Sequence, residues 1–271
     1  MLKIKEKLYR VRAFTRKFGF AGFMLFIKFS VGKLENVKLP RIRHKISLRS
    51  GTSDVGVFDQ VFLSGEYDIN FNNAPNLIID CGANIGLFAI LMKNIYQDAK
   101  IICVEPDPDN FRLLQKNLSG YSNIYFENCG LWNRDTMLKI YDKYENGKWG
   151  MVVEEDIEDG KIRAISVPTL LQKYQIDNVD LLKIDIETSE KQVFSSDFEE
   201  WLPRIRSVVI ELHDRLEPGC SRSFFEAINL CFENYIFSMK GENVVIENCA
   251  PAKIITTEPH TNLQETTVVV N

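Results

Sequence analysis

The chain has 271 residues, 45% of them hydrophobic and 26% charged, the balance of a soluble globular protein that buries a full core in one large domain with an appendage. The net charge of −4 hides a division: residues 1–45 hold thirteen Lys or Arg against only Glu6 and Glu35, so the front end is basic and the body acidic. The six cysteines, at 81, 103, 129, 220, 231 and 249, show no CxxC pair or zinc spacing, which argues against a zinc or redox module and points to buried reduced thiols in a cytoplasmic protein.

Residues 1–45 read as an amphipathic basic helix, with Ile4, Leu8, Val11 and Phe18 on its apolar side, followed by an extended stretch broken at Pro40. No small-residue cleavage site follows, so a signal peptide is not expected. The apolar run at 20–27 ends at Lys28, far short of the ~20 residues that span a bilayer. Such a segment can lie on a membrane surface but not cross it. Residues 49–68 suggest a polar turn, a short helix capped by Ser53 or Asp54, and a second turn at Ser64 and Gly65.

From residue 77 the pattern alternates regularly. Strands are expected at 77–81, 100–105 and 123–128, with helices at 86–96 and 108–118, the second started by Asp107 or Pro108. This order implies a parallel sheet covered on both faces. Residues 133–167 loosen into a polar excursion whose pieces at 137–141 and 162–167 suggest a hairpin at the sheet margin. A helix at 169–175, a strand at 180–184, a helix from Ser189, a strand at 207–212 and a helix at 222–232 follow. Strands at 235–239, 244–247 and 266–270 then come without intervening helices, so the sheet should close on an antiparallel pair. The fold class is therefore α/β, Rossmann-like and mostly parallel.

The most telling stretch is LIIDCGANIGLF at 77–88, an apolar run that ends in Asp80 and turns through Gly82 and Gly86 into a periodic apolar segment. Glycines there let the backbone approach a ligand, and amides at the helix start offer donors to a carboxylate or phosphate. Glu105 ends the next strand, nineteen residues after Gly86, where an acid can accept from both hydroxyls of a ribose. A dinucleotide fingerprint needs its first two glycines two apart. Here Ala83 and Asn84 intervene, and Asp80 suits an ammonium better than a pyrophosphate. Both features favour S-adenosylmethionine.

With the pieces RSGTSDVGVFDQVFLSGEY (49–67), DCGANIG (80–86), VEPDPDNF (104–111), VDLLKIDIETSE (179–190) and VVIELH (208–213), the chain resembles the FkbM-type S-adenosylmethionine-dependent methyltransferases from about residue 46 onward. Residues 1–45 form a basic extension and 46–271 the methyltransferase domain. The resemblance implies that Asp80 attracts the methionine ammonium, that Gly82, Ala83, Asn84 and Gly86 pack along methionine and ribose, and that Glu105 holds the ribose hydroxyls. It also implies Pro106 on the adenine face, Glu127 or Asn128 at the adenine edge, and Asp185 facing the transferable methyl. One residue departs from the pattern: Thr188 stands where the family commonly has glycine, at a point where glycine would allow close approach or positive φ.

His213 ends the fifth parallel strand on the ligand-binding edge, and an imidazole with its usual pKa near 6.5 suits a general base, with Asp185 and Glu211 as competing bases. Asp185, Glu187, Glu190 and His213 also invite a divalent-metal reading, since catechol-type O-methyltransferases set a metal beside the acceptor; no metal is assigned here. Glu190 can alternatively serve a helix N-terminus. Arg49, Asp54, Tyr67 and Glu187 are the candidate acceptor contacts. For the basic extension, packing on a second copy competes with a membrane-surface anchor that brings the enzyme to lipid-linked glycans at the inner face. Nucleic-acid binding is disfavoured by the acidic body.

The resulting expectation is an O-methyltransferase acting on a sugar hydroxyl of a glycan or glycosylated metabolite. A dinucleotide-dependent oxidoreductase or epimerase is the first alternative, though neither GxGxxG nor a Tyr and Lys pair is evident. The second is a non-catalytic membrane-associated adaptor with a relic cofactor domain.

Overall fold

The computed structural model describes residues 2–142 and 151–249. The chain begins with helix α1 (Leu2–Ser30), which is not straight: Gly19 takes φ 61° and ψ −141°, a conformation open only to glycine. The Phe14 and Phe29 rings lie 5.2 Å apart, where a straight helix would separate these residues by about 22 Å. The helix thus folds back on itself. A Cβ on Gly22 would sit 1.9 Å from the Phe14 carbonyl oxygen, so the closeness of the two arms depends on that glycine.

Phe14 is fully buried and stacks on Phe58 of α2 (Asp54–Phe58), which runs on into a single π-helical turn, Asp59–Ser64. Arg10 pairs with Asp59 at 2.8 Å and Lys17 with Asp68 at 2.7 Å, pinning the basic helix to the acidic body. Leu34, Val37, Leu39 and Ile46 join the same core as Ile78 and Leu87. The far side of the hairpin is different: Phe20, Met24 and Val31 stay exposed, leaving the apolar side chains expected of a membrane or second-copy surface free of this core. Among the described residues no helix is long and apolar enough to cross a membrane.

The central sheet comprises β1 (Leu77–Cys81), β2 (Lys100–Val104), β3 (Ile124–Glu127), β8 (Val179–Ile184), β9 (Ile205–Glu211), β10 (Tyr235–Lys240) and β11 (Asn243–Asn248). Its order is β3-β2-β1-β8-β9-β11-β10, parallel from β3 to β9 and antiparallel at β11 and β10. Ile78, Ile101, Leu181 and Val209 point into one core with α3 (Leu87–Ile95), while Ile79, Ile102, Leu182 and Val208 point into a second with α7 (Cys220–Cys231). Strands buried on both faces read as unbroken apolar runs, which is why they were visible in the sequence. The helix α4 (Pro108–Leu118) starts as its residues dictate, with the Asp107 carboxylate accepting from the Asp109 and Asn110 amides and Pro108 in the first turn.

The excursion at 133–167 is more than a hairpin. Its three strands, β5 (Thr136–Asp142), β6 (Met151–Glu155) and β7 (Ile162–Ile165), join β4 (Gly130–Leu131), which precedes it, in a separate sheet in the order β4-β7-β5-β6. Its β4 is only two residues long and pairs parallel with β7, a contact without periodicity to announce it. Helices α5 (Val167–Lys173) and α6 (Glu190–Val193) complete the order. The strand expected at 266–270 lies outside the described residues. All six cysteines are free, but only 81, 103, 129 and 220 are buried; Cys231 is half-buried and Cys249 exposed, contrary to the expectation of buried thiols throughout.

Gly22→Ala should force the two arms of α1 apart and cost about 1–3 kcal/mol. Hydrogen exchange should show protection lost across residues 2–30; unchanged protection would mean that the arms do not meet as described.

Candidate functional site

The switch point of the parallel sheet lies between β1 and β8, whose neighbours run outward in opposite directions, and open α/β sheets bind ligands there. A cavity of about 570 Å³ opens at that point, within the range of small-molecule sites. Its walls come from the exits of β1, β2, β3, β8 and β9, with Ser53, Val57 and Gln60 from the α2 region and Leu138 and Ile162 from the second sheet.

The β1 exit is held by close packing. Gly82 has φ 74°, and a Cβ there would stand 1.7 Å from the Asp185 carbonyl oxygen; Gly86 has φ 86°, with its missing Cβ 2.7 Å from Leu114 Cδ1. Both glycines therefore serve the protein's own packing, β1 against β8 and α3 against α4. Asn84, with φ 50°, supplies a third left-handed residue between them. The loop amides are also committed: those of Gly82 and Ala83 donate to the Val104 carbonyl, that of Asn84 to Glu105 Oε2 at 2.7 Å, and that of Gly86 to the Ala83 carbonyl. The expected row of donors facing a ligand is absent at these four positions. Gly82 and Asn84 line the cavity, whereas Ala83 is buried and, like Gly86, lies off its wall.

Asp80 differs most from expectation. It is fully buried, does not line the cavity, and its register partner on β8 is Lys183. The Lys183 ammonium lies 3.4 Å from Asp80 Oδ1 and 3.5 Å from Asp185 Oδ2, and donates to the Gly82 carbonyl at 2.8 Å. Burial pushes the Asp80 carboxyl up and Lys183 pulls it back down; for Lys183 burial pulls down, but Asp80 and Asp185 hold its pKa above the usual lysine value. Lys183 is the ion-pair partner of Asp80, but neither Asp80 oxygen has a hydrogen-bond partner and burial leaves its carboxyl raised on balance. Lys183 went unremarked in the sequence, although a lone lysine in the apolar run VDLLKI requires a buried counter-charge on a neighbouring strand.

Glu105 does line the cavity. Its Oε2 accepts from the Asn84 amide and its Oε1 from the Asp107 amide at 2.9 Å and from Asn110 Nδ2 at 3.4 Å. Burial raises this carboxyl to about 7, against those donors, which lower it. Pro106 also faces the cavity. Glu127 and Asn128 do not: Glu127 is buried and saturated by Arg163, Lys173 and the Tyr174 hydroxyl, and Asn128 Nδ2 donates to the Glu105 and Pro106 carbonyls. They brace the β2 and β3 exits.

At the opposite end four carboxylates surround His213. Its Nδ1 is 3.0 Å from Glu190 Oε1, and its Nε2 lies 3.5 Å from Glu211, 3.7 Å from Glu187 and 4.0 Å from Asp185. Burial lowers the imidazole pKa, but the hydrogen bond and charge of Glu190, with the charges of Glu187 and Asp185, raise it to about 10. The surrounding carboxylates thus favour the imidazolium form of His213. Burial likewise raises Glu187 to about 8 and Glu211 to about 7, with neighbouring carboxylates adding to the effect and His213 opposing it. Glu190 is fully buried and bonds His213 and the Ile186 amide rather than a helix end. Glu187 and Thr188 take φ of 50° and 82° in succession, so the threonine adopts the left-handed backbone that a glycine would take without strain.

The proposed acceptor contacts separate into two groups. Glu187 lines the cavity. Arg49 and Asp54 instead form a clamp, Nη2 to Oδ1 at 2.8 Å and Nε to Oδ2 at 3.0 Å, with Arg49 also donating to Asn110 at 2.6 Å. Tyr67 is buried edge-on to Phe88. None of these three residues reaches the cavity wall.

Residues 80–239 match the family model of the methyltransferase FkbM domain. The chain is 28% identical over 206 residues to the methyltransferase sdnD of Sordaria araneosa, covering 64% of this chain and 78% of that protein. It is 26% identical over 182 residues to methyltransferase 1 of Beauveria bassiana (strain ARSEF 2860), covering 58% and 73%. Among solved structures, the methyltransferase FkbM of Methylobacillus flagellatus KT is similar at 14% identity and a TM-score of 0.46, over 91% of this chain and 60% of that one.

Lys183→Met strands the buried Asp80 charge and should cost about 3–5 kcal/mol in urea unfolding. Adding Asp80→Asn to it should restore at least ~1 kcal/mol, because the two changes remove one interaction. Additive losses would show that the pair is not coupled.

Proposed function

The chain belongs to the FkbM methyltransferase family, and from that premise we propose an S-adenosylmethionine-dependent O-methyltransferase whose acceptor is a sugar hydroxyl of a glycan or glycosylated metabolite. The observation that carries this reading is the polarity of one continuous cavity. Glu105 and Pro106 stand at one end, and Asp185, Glu211 and His213 at the other.

The residues present fit the donor. Glu105 has both oxygens held by backbone amides and a face on the cavity, the arrangement that accepts from two vicinal hydroxyls. Asn84 Oδ1 is buried at the cavity wall without a hydrogen-bond partner, as are both Asp80 oxygens behind it; Asn84 is the one of the two that lines the cavity, an acceptor suited to the methionine ammonium. Bound S-adenosylmethionine supplies an electrophilic methyl on a sulfonium, whose C–S bond breaks as the acceptor oxygen takes the methyl. The chain's part is mainly placement, since holding two reactants in line removes much of the barrier. In this reading the hydroxyl proton is taken up at the Asp185 end, where Asp185, Glu211 and His213 face the cavity. A dense set of acceptors also suits a polyhydroxylated sugar, whose neighbouring hydroxyls need partners once out of water.

Phe14, Phe26 and Phe29 of the basic extension, in one core with the α2 region that supplies Ser53, Val57 and Gln60 to the cavity, brace one wall of it in this reading.

Isothermal titration should show S-adenosylhomocysteine binding and no binding of NAD; the reverse would overturn the donor assignment. Ribose hydroxyls favour the ionised form of Glu105, so its pKa falls on binding. Affinity should be full above about pH 7 and decline as the pH drops through 7. Glu105→Gln should weaken binding about tenfold at high pH and flatten that dependence. The acceptor class is tested by mass spectrometry of glycans and glycosylated metabolites from cells with and without the protein, where a lost methylene should fall on a sugar.

A further inference from the structure

The His213 cluster contains more negative charge than its cations answer. Four carboxylates, from Asp185, Glu187, Glu190 and Glu211, lie within 4.0 Å of one imidazole. Among the described residues the other cation in contact with this set is Lys183, which Asp185 shares with Asp80. We propose that Asp185, Glu211 and His213 bind a divalent cation at the acceptor end of the cavity, with Glu190 orienting the imidazole behind it.

Three observations support the site. One ligand atom from each of Asp185, Glu211 and His213 falls within 4.8 Å of the others. With bonds of about 2.1 Å, two ligands of one cation lie between about 3.0 and about 4.2 Å apart, and His213 Nε2 is 3.5 Å from Glu211 and 4.0 Å from Asp185. Small side-chain movements close the set. Second, Glu190 is fully buried and accepts from His213 Nδ1 at 3.0 Å, which leaves Nε2 directed at the other carboxylates; a carboxylate behind a metal-binding histidine fixes its tautomer and ring orientation in this way. The second Glu190 oxygen, buried and without a hydrogen-bond partner, adds uncompensated negative charge behind the ring. Third, all three ligands line the cavity, so coordination positions remain open towards it.

Two carboxylates and one imidazole suit a cation that accepts both oxygen and nitrogen, and manganese(II) is the probe of choice. The cation takes the place of the proton on Nε2. Its acceptor role rests on the methyl-transfer reading: two adjacent hydroxyls of a sugar fit the open positions, and coordination acidifies the one that attacks. That proton leaves through the open cavity to water as the oxygen gains the methyl.

The test uses the full chain, treated with chelator and titrated with manganese(II) by electron paramagnetic resonance, alongside S-adenosylhomocysteine titration of the same samples. One ion per chain should bind, with pulsed spectra showing coupling to an imidazole nitrogen that disappears in His213→Ala. Glu211→Gln should weaken ion binding at least tenfold, and Glu190→Gln ten- to a hundredfold, with S-adenosylhomocysteine affinity retained. Absence of manganese binding to the wild type, or binding without nitrogen coupling, would overturn the cation site and leave the donor reading standing. Ion binding with no affinity for S-adenosylhomocysteine would instead reject the donor reading. If the variants fail to fold, the stoichiometry and nitrogen coupling of the wild type decide the matter.

Discussion

The arrangement of the site depends on one constraint, the close approach of the β1 and β8 exits with Lys183 buried between Asp80 and Asp185. The backbones meet where Gly82 leaves no room for a Cβ beside the Asp185 carbonyl, and the ammonium bonds the Gly82 carbonyl at 2.8 Å. A lysine and an aspartate taken out of water each lose several kcal/mol of solvation, which only close pairing and additional hydrogen bonds offset. That pairing fixes the end of each strand relative to the other. It also fixes Asp185, the one member of the trio that reaches the cavity.

From this centre the two ends of the cavity acquire opposite character. Towards β2, a carboxylate at Glu105 is surrounded by donors, so its charge is supported and its remaining acceptor capacity faces the cavity. Towards β9, burial and then neighbouring carboxylates raise Glu187 and Glu211 around a single imidazole. One end thus sets a carboxylate among donors and the other sets several carboxylates around one histidine. Thr188, at φ 82° beside Glu187, shows that this corner tolerates backbone strain to keep its carboxylates in position.

Much of the fold was legible because its strands are buried on both faces and appear as apolar runs, and because Asp107 and Pro108 form a helix start that local chemistry alone dictates. The second sheet was not, since a two-residue strand such as Gly130–Leu131 has no period and exists only through its partner. Glu105, Asp185, Glu187 and His213, expected at the ligand edge from their places at or just beyond strand ends, all line the cavity. Asp80 also terminates a strand, but its side chain turns to the face where Lys183 lies, information that resides in the register between strands far apart in sequence. The glycines carry a packing role beyond the one expected of them. Their need for positive φ is local and readable; what fills the space of the missing Cβ is tertiary and is not. The setting of His213 was hidden in the same way, because Asp185 and Glu187 come from the β8 exit, Glu190 from α6 and only Glu211 from its own strand.

The central claim is that the donor lies along Glu105 and Asn84 while Asp80 remains paired with Lys183. A crystal structure with S-adenosylhomocysteine tests it directly. The account predicts ribose hydroxyls on Glu105, the amino group near Asn84 Oδ1, sulfur directed towards the Asp185 end, and an unbroken Asp80 and Lys183 pair. An amino group seated on Asp80 with Lys183 displaced, or a nucleoside bound outside this cavity, would contradict it.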